Sequence, residues 1–107
     1  MLDQDLEPST DLIPMLAPSR LTAEQRLDFR RAVLEALEQS VRSGAKSVDI
    51  DLSATTDVDA SGLGVMILLQ KRARERGLAV RLLHIPRVAY ELLESTKLIE
   101  LFEIVRD

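Results

Sequence analysis

The chain has 107 residues, a formal net charge of −4, 46% hydrophobic and 30% charged residues, and no cysteine. That length suits one domain with one core, the absent thiols exclude disulfides and thiolate metal sites, and no apolar run approaches the roughly 20 residues of a membrane span. The acidic balance and an aromatic content of 3% without tryptophan supply neither the basic footprint nor the stacking platform of a nucleic-acid binder.

The first eleven residues, MLDQDLEPSTD, are polar and acidic, unlike a signal peptide. They read as a weakly ordered N-terminus ahead of a domain over residues 12–107, in a protein expected in the cytoplasm. Leu12–Pro18 is apolar but holds Pro14 and Pro18, so a strand there is confined to an edge or a bulge. From Leu21 to Gly44 the pattern is an amphipathic helix. Thr22 and Gln25 have capping-box spacing, Leu27, Val33 or Leu34, Leu37 and Val41 recur at helical intervals, and Gly44 supplies the stop.

Ser47–Ser53 alternates, with Val48, Ile50 and Leu52 on one face and Asp49 and Asp51 on the other, which is a strand. After a turn over Thr55–Ala60, the segment GLGVMILLQKRARERG reads as a second helix closed by Gly77. Leu78–Ile85 is another strand, and Pro86 suits the first residue of a third helix running to about Ser95. The tail LIELFEIV fits a short helical turn or a last strand, and periodicity does not separate them. Strands alternating with helices imply an α/β layer with parallel pairing between the Val48 and Val80 strands.

Four carboxylates, Asp49, Asp51, Asp57 and Asp59, cluster near one strand end and are candidates for a hard cation. Asp49 and Asp51 are equally the outward face of a half-buried strand, which is the simpler reading. His84 is the single histidine and stands in an apolar strand. Alone it builds no zinc site of the usual kind, and G-x-S-x-G is absent around Ser61, so no triad-type enzyme is expected. Lys71–Arg76 (KRARER) is basic but falls on several helix faces, where it complements a helix C-terminus.

The informative stretch is TTDVDASGLG, Thr55–Gly64. Ser61 stands where a hydroxyl can cap the second helix. Leu63, Val65, Met66, Ile67, Leu68 and Leu69 then cover most of the helix circumference, which implies burial on all sides or one side given to a partner. Gly62 and Gly64 each cost about 1 kcal/mol relative to alanine in an exposed helix interior, and they permit close backbone approach. The acidic half of the chain ends just before Ser61: residues 1–60 carry 12 acidic and 6 basic side chains, residues 61–107 carry 6 and 8. A phosphate on Ser61 would be accepted by free N–H groups of the helix start and would add about −1.5 to −2 charge beside Asp57 and Asp59. The fold would change little and the surface a great deal.

These residues carry a resemblance. The strand ending Asp51-Leu52-Ser53, the turn, and Asp59-Ala60-Ser61-Gly62-Leu63-Gly64 opening a helix resemble the D-L-S and D-S-S-G-L-G pattern of STAS domains, the fold of bacterial anti-sigma factor antagonists. The closing KLIELFEI is also similar, and the likeness extends over about residues 19–105. It implies a STAS-like α/β fold, a single sheet of mixed, largely parallel strands flanked by helices. It implies that Ser61 is the phosphoacceptor of an anti-sigma factor with serine kinase activity, bound when Ser61 is free and released when it is phosphorylated. The partner-binding surface is then expected at Asp57, Asp59, Ala60, Gly62, Leu63, Gly64, Met66 and Ile67, with Thr22 beside it. No cofactor, metal, nucleic acid or membrane insertion is implied, and the protein is a switch rather than an enzyme.

Three departures stand out. Ala60 replaces the first serine of the pattern, which leaves Ser61 as the one acceptor. Thr22, in Ser19-Arg20-Leu21-Thr22, replaces the aspartate of G-x-L-D near the phosphoacceptor, which bears on phosphorylation efficiency and on the kinase. The usual first strand is not legible, so the N-terminal edge is irregular or pairs with another chain. The resemblance also admits a non-phosphorylated STAS scaffold subunit of a stress-signalling complex or an ATP-dependent lipid transporter. In either case the Leu63–Leu69 run could serve a homodimer.

Overall fold

A computed structural model describes residues 13–106. The expectation for residues 1–11 lies outside the described residues. The strands are β1 (Met15–Leu16), β2 (Arg20–Leu21), β3 (Ser47–Asp51), β4 (Asp57–Val58), β5 (Ala79–Leu83) and β6 (Glu103–Val105). The helices are α1 (Arg26–Ser43), α2 (Ala60–Glu75) and α3 (Arg87–Ser95), with 3₁₀ turns at Ala23–Gln25 and Leu98–Leu101. The tail thus forms both of its alternatives, a 3₁₀ turn and then a strand.

The main sheet has the order β1-β3-β5-β6, and every pair in it is parallel. Its order advances in one direction, and crossovers between parallel strands are right-handed, so α1, α2 and α3 stack on one face. The residues agree. Val48, Ile50, Val80 and Leu82 are buried, while Asp49, Asp51, Arg81 and Leu83 between them are half-buried. The outward face is polar, with Arg81 Nε 3.7 Å from Asp49 Oδ1 and His84 Nδ1 3.3 Å from Asp51 Oδ1. Among the described residues β1 is an edge strand framed by Pro14 and Pro18, the position a strand poor in N–H donors can occupy.

The sequence pattern places Val33 and Leu37 correctly but misplaces the first turn of α1. Leu27 was expected in the core and is 65% exposed, whereas Phe29, Val33, Leu37 and Ser40 are buried. Steps of four, four and three follow the 3.6-residue period, and Leu27 lies about 200° around the helix from Phe29. The Thr22–Gln25 capping box is not formed either. The Thr22 hydroxyl donates to Gln25 Oε1 at 2.7 Å, within a 3₁₀ turn that precedes α1. Gly44 ends α1 at φ 78°, the left-handed conformation a side chain would resist.

A second ladder, absent from the sequence reading, pairs β2 with β4 in parallel, Arg20 with Asp57 and Leu21 with Val58. It brings Leu21 hard against the start of α2. A Cβ built on Gly62 would sit 2.7 Å from the Leu21 Cβ and closer still to its carbonyl oxygen, whereas one built on Gly64 meets open space. The two glycines therefore diverge on substitution. Gly62→Ala forces backbone apart and is expected to destabilise by about 1–3 kcal/mol. Gly64→Ala is expected to stabilise by up to about 1 kcal/mol through helix propensity. Urea midpoints of the two variants against the parent check both signs.

Candidate functional site

The turn before α2 is pinned before the helix begins. Buried Thr55 donates its hydroxyl to the Pro18 carbonyl at 2.9 Å, and the Thr56 N–H donates to the Ser19 carbonyl at 2.7 Å. The Asp59 N–H donates to the Leu21 carbonyl at 3.1 Å, and Asp57 meets Arg20 at 3.5 Å. These contacts fix where Asp59 stands.

Asp59, not Ser61, caps α2. Its Oδ1 accepts from the N–H groups of Ser61 at 2.8 Å and Gly62 at 3.1 Å, with the backbone extended at φ −127° and ψ −174°. Aspartate is as good an N-cap as serine, and it comes first in the chain, so the helix starts at Ala60 and leaves Ser61 one turn position too late to cap. Asp59 Oδ2 also accepts from the Ala23 N–H at 3.2 Å, across to the turn before α1. Backbone donation, from Gly62 above all and also from Ala23 and Ser61, holds the Asp59 carboxyl below its ordinary pKa, against an opposing push from desolvation. The N–H groups expected to receive a phosphate are thus already taken by a carboxylate.

Ser61 is half-exposed, and among the described residues its hydroxyl has no hydrogen-bond partner. Around it the expected site residues divide in two. Asp57, Ala60 and Gly64 are exposed, and Thr22, Asp59 and Ile67 are half-buried at the same end of the domain. Gly62, Leu63 and Met66 are buried, the latter two in the hydrophobic core at 7% and 4% exposure. Most of the apolar run therefore serves this chain's own core, and the close approach at Gly62 is to Leu21.

Beside Ser61 an open groove of about 430 Å³ runs between α1 and α2, lined by Arg26, Leu27, Arg30, Ser61, Gly64 and Leu68. Sequence reasoning missed the α1 side of it. The available signal was Phe29, since placing it inward turns Leu27 and both arginines outward. The four carboxylates are not gathered. Asp49 meets Arg81 and the Ser47 hydroxyl, Asp51 accepts from the Ser53 N–H and faces His84, Asp57 meets Arg20, and Asp59 caps α2. Among the described residues no cluster of three or more acidic or histidine side chains forms a metal site.

A family model described as "Mlab, STAS domain" matches residues 17–105. The chain is a STAS domain protein. A crystal structure from Thermotoga maritima, described as a candidate anti-sigma factor antagonist, shares the STAS fold of this chain with a TM-score of 0.69. It is 20% identical, and the match covers 90% of this chain and 77% of that one. No curated protein matches the chain. Among the described residues of this STAS domain no helix is long and apolar enough to cross a membrane.

The cap gives the STAS domain an acid-sensitive joint. With its folded-state pKa depressed, Asp59 stabilises the fold fully above the unfolded-chain value of about 3.9, and that stabilisation is lost as pH falls through the folded value. Asp51, lowered chiefly by the Ser53 N–H, acts in the same direction. The urea midpoint is expected to fall between about pH 5 and pH 3. Asp59→Asn should show a lower neutral midpoint and a shallower acid limb, measured by urea titrations at each pH.

Proposed function

We propose that this STAS domain protein is a phosphorylation-controlled antagonist of an anti-sigma factor. The observation that carries the reading is the Ser61 hydroxyl, half-exposed on the first turn of α2 and without a hydrogen-bond partner among the described residues. A serine needed as a cap would have its oxygen occupied. This one is free for chemistry, while Asp59 does the structural work. The likeness to a candidate anti-sigma factor antagonist supports the same reading.

The partner is an anti-sigma factor that is itself a serine kinase, and both act in the cytoplasm. With Ser61 unmodified, the partner docks over the exposed rim of Asp57, Ala60, Ser61 and Gly64 and the adjoining groove. The kinase then transfers the terminal phosphoryl group of a nucleoside triphosphate. The bond from that phosphorus to its bridging oxygen breaks, one forms to Ser61 Oγ, the hydroxyl proton leaves to a base of the kinase, and a nucleoside diphosphate departs. This chain supplies the acceptor and no catalytic group. The phosphate adds about −1.5 to −2 charge beside Asp57 and Asp59, and like-charge contact across an interface costs several kcal/mol.

The competing reading, a permanent scaffold subunit of a stress-signalling complex or an ATP-dependent lipid transporter, draws on Thr22. Its hydroxyl is bonded to Gln25 where the family pattern has a carboxylate near the acceptor. Binding assays separate the two. Ser61→Ala is expected to hold the anti-sigma partner as the parent does and to take up no phosphate. Ser61→Asp is expected to bind at least about tenfold more weakly, roughly 1.4 kcal/mol, with an unchanged melting temperature. Equal affinities of the two variants, with no phosphate found on the parent by intact mass after incubation with the kinase, would leave the scaffold reading.

A further inference from the structure

Asp59 creates a difficulty for a phosphate on Ser61. The helix-start N–H groups of Ser61 and Gly62 are bound to a carboxylate with a depressed pKa, so the modified side chain must find its counter-charge elsewhere. Asp59 and Asp57 are of the wrong sign, and Asp57 is paired with Arg20. Across the groove stand Arg26 and Arg30, one turn apart on α1 and so on one face, lining the same 430 Å³ groove as Ser61.

Both arginines are available to a ligand in the groove. Both are exposed, and among the described residues neither is engaged in an ion pair that would hold it away from the groove.

We infer that Arg26 and Arg30 form an intramolecular receptor for the phosphate of phosphorylated Ser61. A phosphate dianion on Ser61 accepts charge-assisted hydrogen bonds from the two guanidinium groups, whose planar forks suit phosphate oxygens. The clasp closes the groove between α1 and α2 over Leu27 and Leu68. Release of the partner then has two causes, repulsion by the added charge and loss of the groove. This inference rests on Ser61 being the phosphoacceptor.

The test installs phosphoserine at position 61 by genetic encoding, so that no kinase is required, and follows its second ionisation by phosphorus-31 NMR. An opposite charge within reach lowers a pKa by about 1–3 units. In the parent fold the second pKa is expected at least about one unit below the ordinary phosphoserine value near 6. In the Arg26→Gln/Arg30→Gln double variant it is expected to rise above that value, because Asp59 is then the nearest charge. Both arginines are exposed, so the melting temperature of the unmodified double variant should match the parent. The same titration in both proteins overturns the clasp. A phosphorylated protein that still holds the anti-sigma partner overturns the functional reading instead, whatever the titration shows.

Discussion

One carboxylate joins the two halves of the candidate site. Asp59 reaches forward to the N–H groups of Ser61 and Gly62 and sideways to that of Ala23. It thereby fixes the first turn of α2 against the turn that leads into α1. That grip depends on how Asp59 is placed. The Leu21 carbonyl can receive the Asp59 N–H only because β2 lies beside β4. That closeness in turn requires a residue without Cβ at 62. The D-x-S-G sequence is therefore a mechanical unit: an acid to cap, a spacer, an exposed hydroxyl, and a glycine that lets the neighbouring backbone in.

The one-sided arrangement of helices explains why this unit is presented at the surface. Successive right-handed crossovers in one direction place α1 and α2 side by side on the inner face of the sheet. Their N-terminal ends both follow strand ends at the same edge of the domain. A groove between two such helices is a consequence of the topology. What the sequence adds is the lining, with an exposed leucine and two arginines on α1 and a serine and an uncrowded glycine on α2.

Much of this was legible in the chain, and the exceptions have physical causes. The alternation of Val48, Ile50 and Leu52 gave the central strand because β3 is buried on one face only. Had it been buried on both, the period of two would have vanished. The helices were legible because glycines end α1 and follow α2. Misplacing Leu27 came from a sparse pattern: α1 has more than one set of apolar residues at near-helical spacing, and only the packing against the sheet chose Phe29. Exchanging the roles of Ser61 and Asp59 came from two good caps lying two residues apart, a choice the pinned turn decides. The β2–β4 ladder was illegible because two-residue strands carry no period.

The apolar run of α2 reads differently once its surroundings are known. Leu63, Val65, Met66 and Leu69 are committed to the core, so a partner cannot be held by them without unfolding the domain. On the proposed reading, what remains for recognition is a narrow strip, Ser61, Gly64 and the flanks of Ile67 and Leu68, facing a basic and apolar strip of α1. Recognition by so small a surface is sensitive to one added charge, because few other contacts remain to offset it. The tight core and the responsive surface are two sides of one helix. Placing Ser61 at its second residue puts the proposed modification next to the groove while the cap that holds the helix stays untouched.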